Sequence, residues 1–262
     1  MVKTKDSLGD RMKGNYENRA KTYLIRRTPV IIRLDGKAFH TFTRGFKRPY
    51  DELFHQAMNN TLKYLCENIQ GCKIGYTQSD EITLLLTDYD TVTTEAFFDY
   101  NVQKVCSIAA SMATLMFNKY FRIAINEFFS GKTLSDDLGD YHTTMSVARD
   151  KGAMFDARCF NVPKEEVTNC FIWRQQDATR NAIQMLGQAN FSHSDLQGRS
   201  CSDIQDMLML QKDINFNDMP VAFKRGICCY KTSKGWTLDY NIPIFTQNRD
   251  YIENHIVPKE TA

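Results

Sequence analysis

No stretch of this 262-residue chain is apolar for long enough to cross a bilayer as a helix. No membrane partner is expected. Met1 to Arg27 is polar and basic and holds no apolar core of the signal-peptide kind, so the cytoplasm is the expected location. There is no CxxC pair among the eight cysteines, and only Cys228 and Cys229 lie close together; they read as reduced thiols, not as a disulfide framework or a zinc site. Five scattered histidines offer no histidine-based metal site, and neither an internal repeat nor a low-complexity linker is present. The chain also lacks a strong charge of either sign, its formal net charge being +2.

What charge there is, however, is unevenly placed. Lys3, Lys5, Arg11, Lys13, Arg19, Lys21, Arg26 and Arg27 crowd the N-terminal segment against Asp6, Asp10 and Glu17. Such a segment suits a phosphate backbone and equally suits a solvated basic helix. Beyond it, Val30 to Leu34 is a β-branched run ending at Asp35-Gly36, which predicts a strand and a turn. Apolar residues at helical spacing predict a helix over Asp51 to Ile69. Lys73–Thr77 and Ile82–Leu86 predict a hairpin whose turn is Gln78-Ser79-Asp80-Glu81. A second helix follows along Val102, Val105, Ala109, Met112 and Met116, then a strand over Met154 to Val162.

Strand, helix, hairpin, helix, strand is the split βαβ order of an α+β fold, an antiparallel sheet with helices on one face. Residues 1–162 form the expected first domain. Residues 163–262 read as a mostly helical part with a hairpin, packed on the first: a long amphipathic stretch from Glu165 to Leu186, a capping-box spacing at Ser202-Asp203-Ile204-Gln205, and strands over Gly226–Tyr230 and Trp236–Tyr240.

Asp35 at a strand end and Asp80 in a hairpin turn are the carboxylates in special places. If the first strand neighbours the hairpin, both reach one rim, where hard oxygen ligands suit magnesium. Aspartate also favours turns for purely local reasons, and the spacing alone leaves both readings open.

The residues around these positions carry a resemblance. Arg33-Leu34-Asp35-Gly36-Lys37-Ala38-Phe39-His40-Thr41-Phe42, Gly75 to Glu81, Phe155-Asp156-Ala157-Arg158 and Trp173-Arg174-Gln175-Gln176-Asp177 resemble, in order, the motifs of the tRNA-histidine guanylyltransferase family. The resemblance implies a polymerase-palm-like catalytic domain and nucleotide addition to the 5′ end of tRNA in the 3′–5′ direction. It implies two magnesium ions on Asp35, the Gly36 carbonyl and Asp80, with ATP, GTP and other nucleoside triphosphates as substrates. The implied triphosphate cradle runs over Asp35, Gly36, Lys37, Ala38, Phe39 and His40, with Ser79 and Asp80, and is completed by Arg48, Asp51, Glu81, Lys104 and Arg158. Phe39 reads as turned into this cradle or as a core anchor, and His40 as a phosphate donor or a partner of a nearby carbonyl. Lys104 is expected on the sheet-facing side of its helix. RNA contacts are expected from Lys13, Arg19, Arg26, Arg27, Arg174, Asp177, Arg180 and Asn181, in a homotetramer.

One block departs from the family. Members that guanylate tRNA-histidine carry a His-Ile-Asn-Asn-type sequence after the aspartate equivalent to Asp177, whereas here Ala178-Thr179-Arg180-Asn181-Ala182 follows. The departure is similar to the bacterial and archaeal-type relatives that repair 5′-truncated tRNAs by copying the opposite strand. Histidine-specific guanosine addition is the alternative, and a nucleotidyl cyclase acting without RNA is the alternative of another class.

Overall fold

The computed structural model describes residues 7–133 and 135–257. Lys3, Lys5 and Asp6 of the basic segment lie outside them. In chain order the helices are α1 (Ser7–Asn15), α2 (Phe39–Phe42), α3 (Glu52–Asn68), α4 (Val102–Phe129), α5 (Asp136–Lys151), α6 (Lys164–Asn190), α7 (His193–Leu196), α8 (Cys201–Lys212), α9 (Val221–Arg225) and α10 (Asp250–Glu253). The strands are β1 (Val30–Gly36), β2 (Cys72–Gln78), β3 (Glu81–Leu86), β4 (Phe155–Asn161), β5 (Ile227–Thr232) and β6 (Gly235–Asp239). They make one sheet in the order β4-β1-β3-β2-β5-β6, every neighbouring pair antiparallel. β1 therefore lies beside the hairpin strand β3, and the C-terminal hairpin β5–β6 extends the same sheet.

Strand alternation sends side chains to two cores. Val30, Ile32, Leu34, Ile82, Leu84 and Leu86 face α3 and α4, joined by Phe39, Phe42, Phe46, Phe54, Phe117, Phe121 and Phe155. The Phe39 ring sits 5.0 Å from Phe42, 5.2 Å from Phe155 and 5.6 Å from Phe117, centroid to centroid. Such tilted and edge-on contacts suit the aromatic quadrupole and add to area burial. Ile31, Ile74, Tyr76, Leu85 and Cys228 face the other way, onto Val167, Phe171 and Ala178 of α6 and onto Ile242, Phe245, Ile252 and Ile256. A register shift between Cys72 and Ile74 lets two residues of equal parity serve opposite faces.

The helices of the first half lie on one face, as expected, and α6 of the C-terminal part covers the other, because the sheet is apolar on both sides and neither side can be left in water. One expectation is corrected: the capping box sits two residues earlier than its predicted place. Ser200 accepts from the Asp203 amide, and the Asp203 carboxylate returns to the Ser200 amide at 2.9 Å, while Gln205 bonds back to the Cys201 carbonyl.

Phe117 is fully buried at the centre of the aromatic cluster. Phe117→Ala should cost about 3–5 kcal/mol in urea or thermal unfolding, the loss typical of a buried aromatic truncation.

Candidate active site

The site begins with a register. Asp35 pairs with Glu81 across β1–β3, so the Gly36 amide meets the Asp80 carbonyl at 3.1 Å. The hairpin loop is two residues long, Ser79-Asp80, and Ser79 takes a left-handed φ of 53°. Its hydroxyl donates to Asp80 Oδ1 at 3.1 Å. The two carboxylates thus come to one rim of the sheet, at the mouth of a cavity of about 510 Å³.

Gly36 is dictated by a close approach. A Cβ built there would lie 2.3 Å from a ring carbon of Phe39, and the three nearest atoms all belong to that ring. Phe39 is the core anchor, and an edge of its ring borders the cavity. Between them Ala38 turns the chain with φ 55°. The amides of Ala38, Phe39 and His40 donate to no acceptor among the described residues and so remain available to an anion. The Lys37 amide does not, since it donates to the Met154 carbonyl at 2.9 Å.

Asp35, Gly36, Ala38, Phe39, His40, Arg48, Asp51, Ser79 and Asp80 all line the cavity. Five residues expected with them are placed elsewhere or otherwise engaged, of which Lys37 is exposed and outside the cavity lining. Asp51 is buried as the N-cap of α3: Oδ1 accepts from the Phe54 amide at 3.1 Å, and Oδ2 from the Lys47 amide at 3.0 Å and the Tyr141 hydroxyl at 2.9 Å. Its carboxylate shapes the wall and is not free for a ligand. Lys104 is exposed, not turned to the sheet. α4 starts beside the Asn161 end of β4, where Cys159 contacts the Val102 carbonyl, and reaches Phe155 only at Thr114. Lys104 is thus separated from Asp35 by most of the strand. Arg158 pairs with Asp156 at 3.3 Å on the edge strand, outside the cavity. Glu81 turns away from the cavity, onto Arg174 at 2.6 Å.

The expected RNA contacts divide likewise. Lys13, Arg19, Arg27, Arg180 and Asn181 are exposed. Arg26 is exposed as well, but its guanidinium is tied to the buried Asp88 at 2.6 Å and to Asp99 at 2.8 Å. Arg174, largely buried, pairs with Glu81 and with Asp177 at 2.7 Å, and Asp177 also holds Arg180. A charge taken out of water needs a partner, and these groups are each other's.

Sequence reasoning missed Lys47, His55, Met185 and Gln188 in the cavity wall. His55 stacks flat on Tyr50, with centroids 3.8 Å apart, and burial pulls its imidazole down to about 3, so it is neutral at working pH. Met185 and Gln188 belong to α6, 150 and 153 positions beyond Asp35, and no local signal tied them to it.

Burial pushes the Asp80 carboxyl above the ordinary carboxylate range; the charge of Asp35 adds to the shift, while Asp80's own amide and the Ser79 hydroxyl oppose it. Neither carboxylate pairs with a cationic side chain among the described residues. Two uncompensated carboxylates at one rim fit a divalent cation. Among the described residues no third His, Cys, Asp or Glu joins them, which suits a magnesium shell completed by water and phosphate oxygens.

The sequence profile of the Thg1 family, tRNAHis guanylyltransferase, matches residues 9–163. This chain belongs to that family. Family membership makes it a nucleotidyltransferase. It is similar to a solved bacterial tRNA(His) guanylyltransferase (Thg1)-like protein in complex with ATP, at 45% identity and a TM-score of 0.82, covering 95% of this chain and 99% of the other. A second bacterial Thg1-like structure, in complex with GTP, matches at 40% identity and a TM-score of 0.74, covering 95% and 99%. The tRNA(His) guanylyltransferase of Saccharomyces cerevisiae is 25% identical over 227 residues, 81% of this chain and 86% of its own length.

Asp80→Asn and Asp35→Asn should each lower nucleotide addition about a hundredfold or more, the loss of several kcal/mol of transition-state stabilisation. Stability should move the other way for Asp80. Its folded pKa lies above the unfolded value, so the folded state binds more protons between the two and stability falls as pH rises through that window. At neutral pH in EDTA, Asp80→Asn should melt higher than the parent protein, and thermal scans at pH 7 and pH 4 check the sign.

Proposed function

We propose that this chain extends the 5′ end of tRNA in the 3′–5′ direction, copying the opposite strand, and so repairs 5′-truncated tRNAs. The observation that carries the reading is the pair of carboxylates, Asp35 and Asp80, that line a cavity large enough for a nucleotide with no cationic side chain paired to either among the described residues. Support comes from the ATP and GTP held by the two similar bacterial proteins.

The chemistry is two phosphoryl transfers. The 5′-monophosphate of the RNA attacks the α-phosphorus of ATP, expelling pyrophosphate and leaving an adenylylated 5′ end. The 3′-hydroxyl of the incoming nucleotide then attacks the 5′ phosphorus, expelling AMP. Two magnesium ions held by Asp35, Asp80 and the Gly36 carbonyl would supply Lewis-acid stabilisation of the developing charge. The free amides of Ala38 to His40 receive phosphate oxygens, and Arg48 adds positive charge at the cavity wall. Aligning the attacking hydroxyl is left to base pairing, and alignment is a large share of such catalysis.

Template-directed repair is favoured over histidine-specific addition by the sequence after Asp177, where Thr179 stands in place of the family's histidine. The same reading takes residues 1–162 as the catalytic part with 163–262 packed on it, and the working species as a cytoplasmic homotetramer.

Several different 5′-truncated tRNAs should be extended, each with the nucleotide complementary to its opposing base, and changing that base should switch the nucleotide added. Addition of guanosine whatever the opposing base, or activity on tRNA-histidine alone, overturns the reading in favour of the histidine-specific one. RNA binding should also weaken steeply with salt, each phosphate contact adding roughly 0.7–0.9 to the slope of log affinity against log salt. Filter binding between low and moderate salt measures it.

A further inference from the structure

Arg174 sits on α6, far in sequence from the hairpin, yet its side chain is only 11% exposed and reaches the residue next to Asp80. Nη2 donates to Asp177 Oδ2 at 2.7 Å, and Nε lies 2.6 Å from Glu81 Oε1 as an ion pair without hydrogen-bond geometry, so one guanidinium stands between two carboxylates. Glu81 also has Arg33 at 3.8 Å, and both arginines lie over the ring of Trp173, at 5.4 Å and 4.4 Å from its centroid. Asp177 is itself held on its other oxygen by Arg180. Alternating charges thus run from the exposed Arg180 through Asp177 and Arg174 to Glu81.

The end of that chain of charges matters because of what it adjoins. The loop Ser79-Asp80 carries a non-glycine residue at positive φ, a conformation that persists when surrounding contacts impose it. β1 holds it through the Gly36 amide, and β2 through the Thr77 hydroxyl, which donates to the Glu81 carbonyl at 2.8 Å. Arg174 supplies the third hold, from the opposite layer. The hydrogen bond to Asp177 fixes the direction of the planar guanidinium and so holds its charge in one place against Glu81, which an ammonium on a flexible stem does not.

We propose that Arg174 is a positioning residue for nucleotide addition: oriented by Asp177, it locks Glu81 and thereby the turn that aims Asp80 into the cavity. The proposal rests on the role given above to Asp80. A merely structural role, neutralising a buried glutamate, is satisfied by any cation at position 174. Positioning is satisfied only by a guanidinium whose direction Asp177 fixes.

The deciding variant is Arg174→Lys, which keeps the charge and removes the planar guanidinium. Three quantities are compared with the parent protein: thermal stability, kcat and KM for the incoming nucleotide, and hydrogen–deuterium exchange at the amides of Gly36 and residues 79–81. The expected result is a melting temperature close to the parent's, a kcat lowered about 10–100-fold with KM within about threefold, and faster exchange confined to those amides; misplacement on the order of 1 Å has that size of effect. If Arg174→Lys is too unstable to study, Asp177→Asn leaves Arg174 in place without its orienting partner. It should show the same local exchange with a smaller loss of kcat. Parent-like turnover and exchange in Arg174→Lys overturn the proposal, as does a kcat loss without local exchange. Exchange needs no substrate, so it tests the turn even where the parent protein proves to act on something other than tRNA. Absence of any addition by the parent protein is a failure of the proposed function, not of the positioning.

Discussion

The pairing of β1 with β3 is the constraint on which the site depends. Asp35 closes one strand and Asp80 precedes the other, and only an antiparallel register that matches Asp35 with Glu81 brings the two carboxylates to one rim. That register is not free to slip. A one-residue shift would turn Val30, Ile32 and Leu34 away from α3 and α4 and exchange the faces of two filled cores. The hydrophobic pattern of the strands therefore sets the position of charges that take no part in the core.

The second layer follows from the same sheet. Because both faces are apolar, α6 has to cover the side that α3 and α4 leave open, and in doing so it delivers two kinds of group. Met185 and Gln188 close the far wall of the cavity, and Arg174 grips the hairpin from beneath. Gln175, between them in sequence, is buried and satisfied at both ends of its amide, donating to the Pro243 carbonyl at 2.9 Å and accepting from the Phe245 amide at 2.8 Å. The Trp173 to Asp177 block thus works as a brace between sheet, helix and C-terminal segment. Within it Arg174 and Asp177 are occupied internally, and Arg180, one turn beyond it, is exposed.

Much of this was legible in the sequence where signals are local. The run ending at Asp35-Gly36, the two-residue turn before Glu81 and the helical spacing after Asp51 each fix one element by short-range chemistry. α5 was not legible, because only Met145 and Ala148 of its residues are buried and its pattern is polar nearly all round. Lys104 was misread for a different reason. Helical periodicity tells which residues share a face, but not how far along a strand the helix begins, and α4 starts at the end away from the site. Arg26 and Arg174 looked like phosphate ligands because a sequence shows a charge without its partner. Their partners, Asp88 and Glu81, lie 62 and 93 positions away.

The close approach at Gly36 has an evolutionary side. The three atoms nearest to a side chain built there all belong to Phe39, so the constraint is not a property of position 36 alone. While the phenylalanine stands, glycine is the only residue the strand end admits. Were position 39 small, the same backbone would meet no obstacle in that ring, though the aromatic cluster would lose its centre. The two positions form an epistatic pair, and mutational tolerance at the rim of the active site is conditional on a residue whose other contacts lie in the core.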